Sequence, residues 1–133
     1  MPPELVELRR WLEKAEHDRA TAEMALTLSR PVTDTAAFHC QQAAEKLLKA
    51  YLCWREFDFE KIHDLDVLAK QCAQFDGGFA ALNERVLPLT TYAVRYRYPG
   101  PNDPTVAEVR DALAVVREVS DFVLDRLPPE VGP

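Results

Sequence analysis

The stretch Phe38-His39-Cys40-Gln41-Gln42-Ala43-Ala44-Glu45-Lys46-Leu47-Leu48-Lys49-Ala50-Tyr51-Leu52 decides how this chain is read. Wound as an α-helix at about 100° per residue, it puts Ala37, Cys40, Ala44, Leu47, Leu48, Tyr51, Leu52 and Trp54 on one broad face. His39, Gln42, Lys46 and Lys49 point away from that face, as solvated charges on a helix usually do. Gln41 falls between Leu48 and Leu52, and Glu45 between Leu52 and Phe38, so an amide and a carboxylate one turn apart lie in or beside the buried arc. A buried polar pair is costly without partners, and the fold must bring cations or donors to Gln41 and Glu45 or open a pocket there. Arg19, Arg95 and Arg97 are the expected cations.

Working outward, the hydrophobic spacing predicts five helices and no strand. The first runs over 4–28, with Leu5, Leu8, Leu12, Ala15, Ala22 and Leu26 at three-four spacing and Arg19 between Ala15 and Ala22. Asp34 or Thr35 is the expected cap of the second, which continues to Arg55. A third starts at His63 or Asp64 and stops at Asp76-Gly77-Gly78. A fourth covers 79–98, kinked or divided at Pro88. The stiff run Pro99-Gly100-Pro101-Asn102-Asp103-Pro104 precedes a fifth over 104–127, with Val106, Val109, Leu113, Val116, Ser120, Val123 and Leu127 in heptad register. Long amphipathic helices with short joints predict an all-α, antiparallel up-and-down bundle of four to five helices. The expected organisation is one domain over 1–127 and a disordered tail over 128–133.

With 47% hydrophobic and 29% charged residues, the composition is that of a globular protein. No apolar run is long enough to span a membrane, and Met1-Pro2-Pro3-Glu4 lacks the basic and apolar regions of a signal peptide, so the expected location is the cytoplasm. Cys40, Cys53 and Cys72 are widely spaced and form no Cys-x-x-Cys pair, which predicts core thiols rather than disulfides or zinc. The net charge of -6 argues against a nonspecific nucleic-acid coat. Much of the acidity sits in 101–133, which hold seven acids against three bases, whereas 63–100 balance. A local basic site outside the last helix remains compatible with that distribution.

Gln41-Gln42-Ala43-Ala44-Glu45-Lys46-Leu47-Leu48-Lys49-Ala50, then His63-Asp64-Leu65, then Arg97-Tyr98-Pro99, in that order, resembles the HEPN domain family of small helical proteins, from about Trp11 to Leu127. The resemblance implies a helical bundle that binds a nucleotide or RNA. It also implies a separate minimal nucleotidyltransferase as partner, often in a toxin-antitoxin pair. Members that cleave RNA carry an Arg followed about one helical turn later by a His. Here Arg95 and Arg97 are followed by no histidine, and His17, His39 and His63 all precede them, so the imidazole that chemistry needs is missing from its place.

From the residues themselves, Arg95, Arg97 and Tyr98, with Tyr92 and Tyr96, concentrate guanidinium groups and aromatic faces suited to phosphates and bases. The plain alternative is that one arginine neutralises Glu45 while the tyrosines fill the end of the bundle. His63-Asp64 reads as an acid/base pair or as a helix cap, the cap being the commoner arrangement. Lys46 and Lys49 are further phosphate candidates. Glu60-x-x-His63 has no second copy with which to hold a di-metal centre, so no metal is expected, and no cofactor motif is present. Three functions follow: a nucleotide- or RNA-related binding module, a metal-independent ribonuclease in which Tyr98 or His63 replaces the missing histidine, and a purely structural dimerisation protein. The second and fifth helices carry more apolar positions than one side of a small bundle uses, which predicts a twofold homodimer. Sedimentation velocity at micromolar concentration is expected to return the dimer mass; a monomer throughout that range would remove the surplus-face argument.

Overall fold

In the computed structural model, which describes residues 1–59, 61–92 and 102–132, all regular structure is helical: α1 (Pro3–Thr27), α2 (Thr33–Trp54), α3 (Leu65–Ala73), α4 (Ala80–Thr90) and α5 (Val106–Arg126), with 3-10 turns at Gly77–Phe79 and Pro129–Val131. α1 and α2 form an antiparallel pair, as contacts from Trp11 to Lys49 and from Asp18 to His39 show. α2 is the centre of the fold, touching α1, α3, α4 and α5. That position explains why it buries residues around most of its circumference, including Gln41, Glu45 and Lys49. A helix with one buried face does not do this.

The core is built from small and branched side chains where helices approach closely. α1 contributes Leu8, Ala15, Ala22 and Ala25, and α5 contributes Val109, Ala112, Val116, Val119 and Val123 at three-four spacing. Phe79 fills the junction of α2 and α5, with its ring 4.5 Å from Tyr51 and 4.8 Å from Phe122. The joint before it is fixed by Asp76, whose carboxylate accepts Gly78 N–H at 2.9 Å and Arg126 Nε at 2.7 Å. These bonds, the Gly78 amide first, hold the Asp76 carboxyl below its usual range. Cys40 and Cys72 are fully buried, and burial pushes both thiols up to about 12.

Several sequence expectations change. Neither Asp34 nor Thr35 caps α2: Val32 is the N-cap residue, and Asp34 Oδ1 accepts its neighbour's Thr35 N–H at 2.8 Å. Helix five begins later than Pro104, behind a capping box in which Thr105 and Glu108 satisfy each other's backbone N–H groups. Pro88 lies within α4 rather than dividing it, near the C-terminal end, where few following turns depend on the bond it cannot make. The expected helix beyond Tyr92, and Arg95, Arg97 and Tyr98 with it, falls outside the described residues. Residues 128–132 are not a loose tail, because Pro129–Val131 forms a 3-10 turn and Val131 is buried. The apolar surplus assigned to α2 is used inside the protomer, so it no longer argues for a dimer. Of the large apolar side chains that stay exposed, Met24, Leu28 and Val32 cluster in sequence at the α1–α2 corner.

α2 ends in a Schellman arrangement, with Glu56 N–H donating to Cys53 O and Phe57 N–H to Leu52 O, both at 3.0 Å. The residue that turns the chain there is Glu56, at φ 58°, where glycine is the usual occupant. Glu56→Gly is therefore expected to raise unfolding stability by about 1 kcal/mol in urea titration. An unchanged or lower midpoint would mean that the Glu56 side chain offsets its backbone strain.

Candidate functional site

The polar stripe of α2 is closed into a network. Gln42 Nε2 donates to Gln41 Oε1 at 2.6 Å, and Gln41 Nε2 donates to Glu45 Oε1 at 3.2 Å. Lys49 Nζ donates to Glu45 Oε2 at 3.1 Å, and His63 Nδ1 lies 3.4 Å from that same oxygen. Gln41, Glu45 and Lys49 retain only 2%, 7% and 5% of their exposure. The ammonium of Lys49 is covered by Trp11 of α1 and Phe59 of the following loop, at 5.8 and 5.7 Å from the ring centroids, and those rings meet edge to face. Spacing of four residues puts Gln41, Glu45 and Lys49 in one column, so a single helix supplies amide, anion and cation in sequence.

His63 is different, because its side chain remains 70% exposed while Nδ1 faces the buried carboxylate. Opposite an anionic acceptor, the bonded tautomer carries its proton on Nδ1 and leaves Nε2 as the ring's other polar atom. A second cluster repeats the pattern across α1 and α2. Asp18, buried on α1, accepts from Lys46 Nζ and lies 2.8 Å from His39 Nδ1. Each cluster thus combines one buried carboxylate, one lysine of α2 and one imidazole approached through Nδ1.

This geometry revises the sequence reading at five residues. Lys49 is buried rather than solvated, because α1 and the Phe59 loop cover the side of α2 that the wheel left to water. Lys46 is half-buried and turned to Asp18. Arg19 does not reach Glu45; it pairs with Glu16 and Glu23 on the outer side of α1, which raises its already high pKa and lowers that of Glu16. The carboxylate beside His63 is Glu45, not Asp64. Asp64 occupies the N-cap position of α3 and makes no side-chain capping bond. Asp18 was legible in part: it sits three residues from Ala15 and four from Ala22, both buried, a core slot that the sequence frame gave to Arg19. Trp11 and Phe59 carried no comparable signal, since their role depends on a loop meeting a helix far away in sequence.

Among the described residues no group of histidine, cysteine and carboxylate side chains could hold a metal ion, and no helix is long and apolar enough to cross a membrane. A family model for the HEPN domain matches residues 8–127. No curated protein and no solved structure matches the chain.

Because Glu45 and Lys49 neutralise one another away from water, Lys49→Met is expected to destabilise the chain by about 3 kcal/mol, through the carboxylate left behind. Glu45→Leu with Lys49→Met should restore a large part of that loss. Urea unfolding of Lys49→Met, Glu45→Leu and the double variant checks both statements, and a double loss equal to the sum of the single ones would show that the two groups are not coupled.

Proposed function

The chain belongs to the HEPN domain family, and from that premise we propose that it is a binding module for a nucleotide or RNA. It works as a cytoplasmic homodimer beside a separate minimal nucleotidyltransferase, as in a toxin-antitoxin pair. The observation that carries the reading is the exposed His63 imidazole, anchored through Nδ1 by Glu45 while Lys49 balances that carboxylate from the protein side. Anchoring one nitrogen limits the freedom lost when the other meets a ligand: in the neutral ring Nε2 accepts from a base-edge N–H, and in the protonated ring it donates to a phosphate oxygen. Arg97 and Arg95 supply the guanidinium groups of the site in this reading, and Tyr98 the stacking face. Lys46 pairs with Asp18 in the second cluster, so its charge is balanced there. The HEPN motif order in the sequence joins these residues to His63-Asp64.

One observation favours the ribonuclease as a second reading: two imidazoles, His39 and His63, are each approached at Nδ1 by a buried carboxylate, as general acid/base groups are. Against it stands the absence of any histidine after Arg97.

Fluorescence anisotropy with a labelled single-stranded RNA and with a labelled adenine nucleotide separates these possibilities. Wild type is expected to bind at low salt and to leave the RNA intact in EDTA. His63→Ala and Arg97→Ala should each weaken binding by about tenfold, a loss typical of one charge-assisted contact. His63→Ala should melt at the wild-type temperature, because its ring is exposed. Unaltered affinity in both variants, or no binding by wild type, defeats the binding-module reading; cleavage in EDTA that disappears with His63→Ala replaces it with the ribonuclease.

A further inference from the structure

A cavity of about 540 Å³ opens between the first turns of α1 and the loop that leaves α2. Its apolar wall is made of Leu5, Trp54, Phe57 and Phe59, with the half-buried Cys53 beside them. Three exposed glutamates line the same cavity: Glu4 and Glu7, one turn apart on α1, and Glu56 at the end of α2. None of the three has a cation partner among the described residues, and Asp58 lines the same cavity. Arg55 is not part of the lining; its guanidinium lies over Trp54 and Phe75, at 5.4 and 5.0 Å. Cys53 registers this environment: burial pushes its thiol up to about 11, and the charge of Glu7 adds to the effect.

We propose that this cavity binds a linear aliphatic polyamine, its methylene stem against the aromatic wall and its ammonium groups toward Glu4, Glu7 and Glu56. Two independent features select that chemistry. A cavity lined by Trp54, Phe57 and Phe59 recognises an apolar stem, and since Phe59 and Trp54 already lie against Lys49 and Arg55, the ammonium groups are left to the acids. A lining whose charges are of one sign raises the local concentration of cations. The acids come from two chain segments, the first turns of α1 and the end of α2, so a ligand with several separated charges satisfies more of them than one lysine or arginine side chain does. A metal ion uses the carboxylates but gains nothing from the rings. Nothing in this assignment depends on the His63 site, and the two can fail separately.

The test is calorimetric titration of the full chain with spermidine at low ionic strength, alongside the variant Glu4→Gln/Glu7→Gln/Glu56→Gln. Saturable binding with a dissociation constant of about 1 mM or below is expected for wild type, weakening by at least about tenfold in the variant, whose exposed substitutions should leave the melting temperature unchanged. Cys53 gives a second readout, since Cys40 and Cys72 are fully buried. A cationic methanethiosulfonate should modify Cys53 faster than an anionic one in wild type, and that preference should collapse in the variant. Absence of saturable binding overturns the proposal, as does equal affinity in the variant. Magnesium displacing spermidine at equal ionic strength reduces the site to an unspecific acidic field and overturns it too. Binding of an arginine-rich peptide where spermidine fails replaces the small ligand with a protein partner.

Discussion

The constraint on which this structure depends is the desolvation of Glu45. An ionised carboxylate in the middle of a central helix costs several kcal/mol unless each oxygen is satisfied. Here one oxygen accepts the Gln41 amide, and the other accepts Lys49 and faces His63. Lys49 in turn is a buried ammonium that needs its own cover, which Trp11 and Phe59 supply. The placement of α1 and of the loop after α2 is therefore tied to one charge on α2. A hydrophobic residue at 45 would demand none of these partners, so the network contributes specificity of arrangement more than raw stability.

The same logic runs along the α1–α2 seam. Asp18 puts a second carboxylate into the helix pair, and Lys46 and His39 meet it from α2. The Asp18 cluster crosses the antiparallel interface and favours one axial register, because sliding either helix by one turn would leave Asp18 buried without Lys46 and His39. The Glu45–Lys49 pair, by contrast, lies within α2 and depends on α1 only for the cover that Trp11 gives. Apolar contacts between alanines, which dominate the buried face of α1, discriminate register weakly by comparison.

How much of this was legible in the sequence depended on whether local periodicity carried the information. The class of fold follows from three-four spacing alone, and the match to a HEPN model over 8–127 agrees with the motif order. Of the heptad stripe expected on α5, Val109, Val116, Val123 and Leu127 are buried, but Val106, Leu113 and Ser120 are half-buried and Ala112 and Val119 take core positions instead. The inward placement of Gln41 and Glu45 also follows from a single wheel. Lys49 could not be placed that way, since a wheel assumes one buried face and α2 is enclosed by four helices. Arg19 was favoured over Asp18 because the apolar frame of α1 was drawn one residue off, and a straight helix drifts about 20° per heptad against a seven-residue repeat. Glu45 as the partner of His63 is a contact across 18 residues that no spacing rule encodes. Arg95, Arg97 and Tyr98 lie outside the described residues, and their part in the site rests on the sequence and the family.

Phe59 joins the two ends of the functional argument. Its ring lies 5.7 Å from the Lys49 ammonium and also lines the cavity together with Glu4, Glu7 and Glu56. Without an aromatic wall there, several carboxylates at one end of the bundle would compete with Glu45 for the Lys49 ammonium. The ring is low in polarity and cannot relay a hydrogen bond, so it lets a buried cation and exposed acids coexist at short range. In the two readings proposed above, a chain of net charge -6 offers the exposed His63 imidazole to one ligand and an acid-lined cavity to a cationic one. Both surfaces then lose affinity as salt rises, because screening weakens the attraction between opposite charges whichever of them the protein carries.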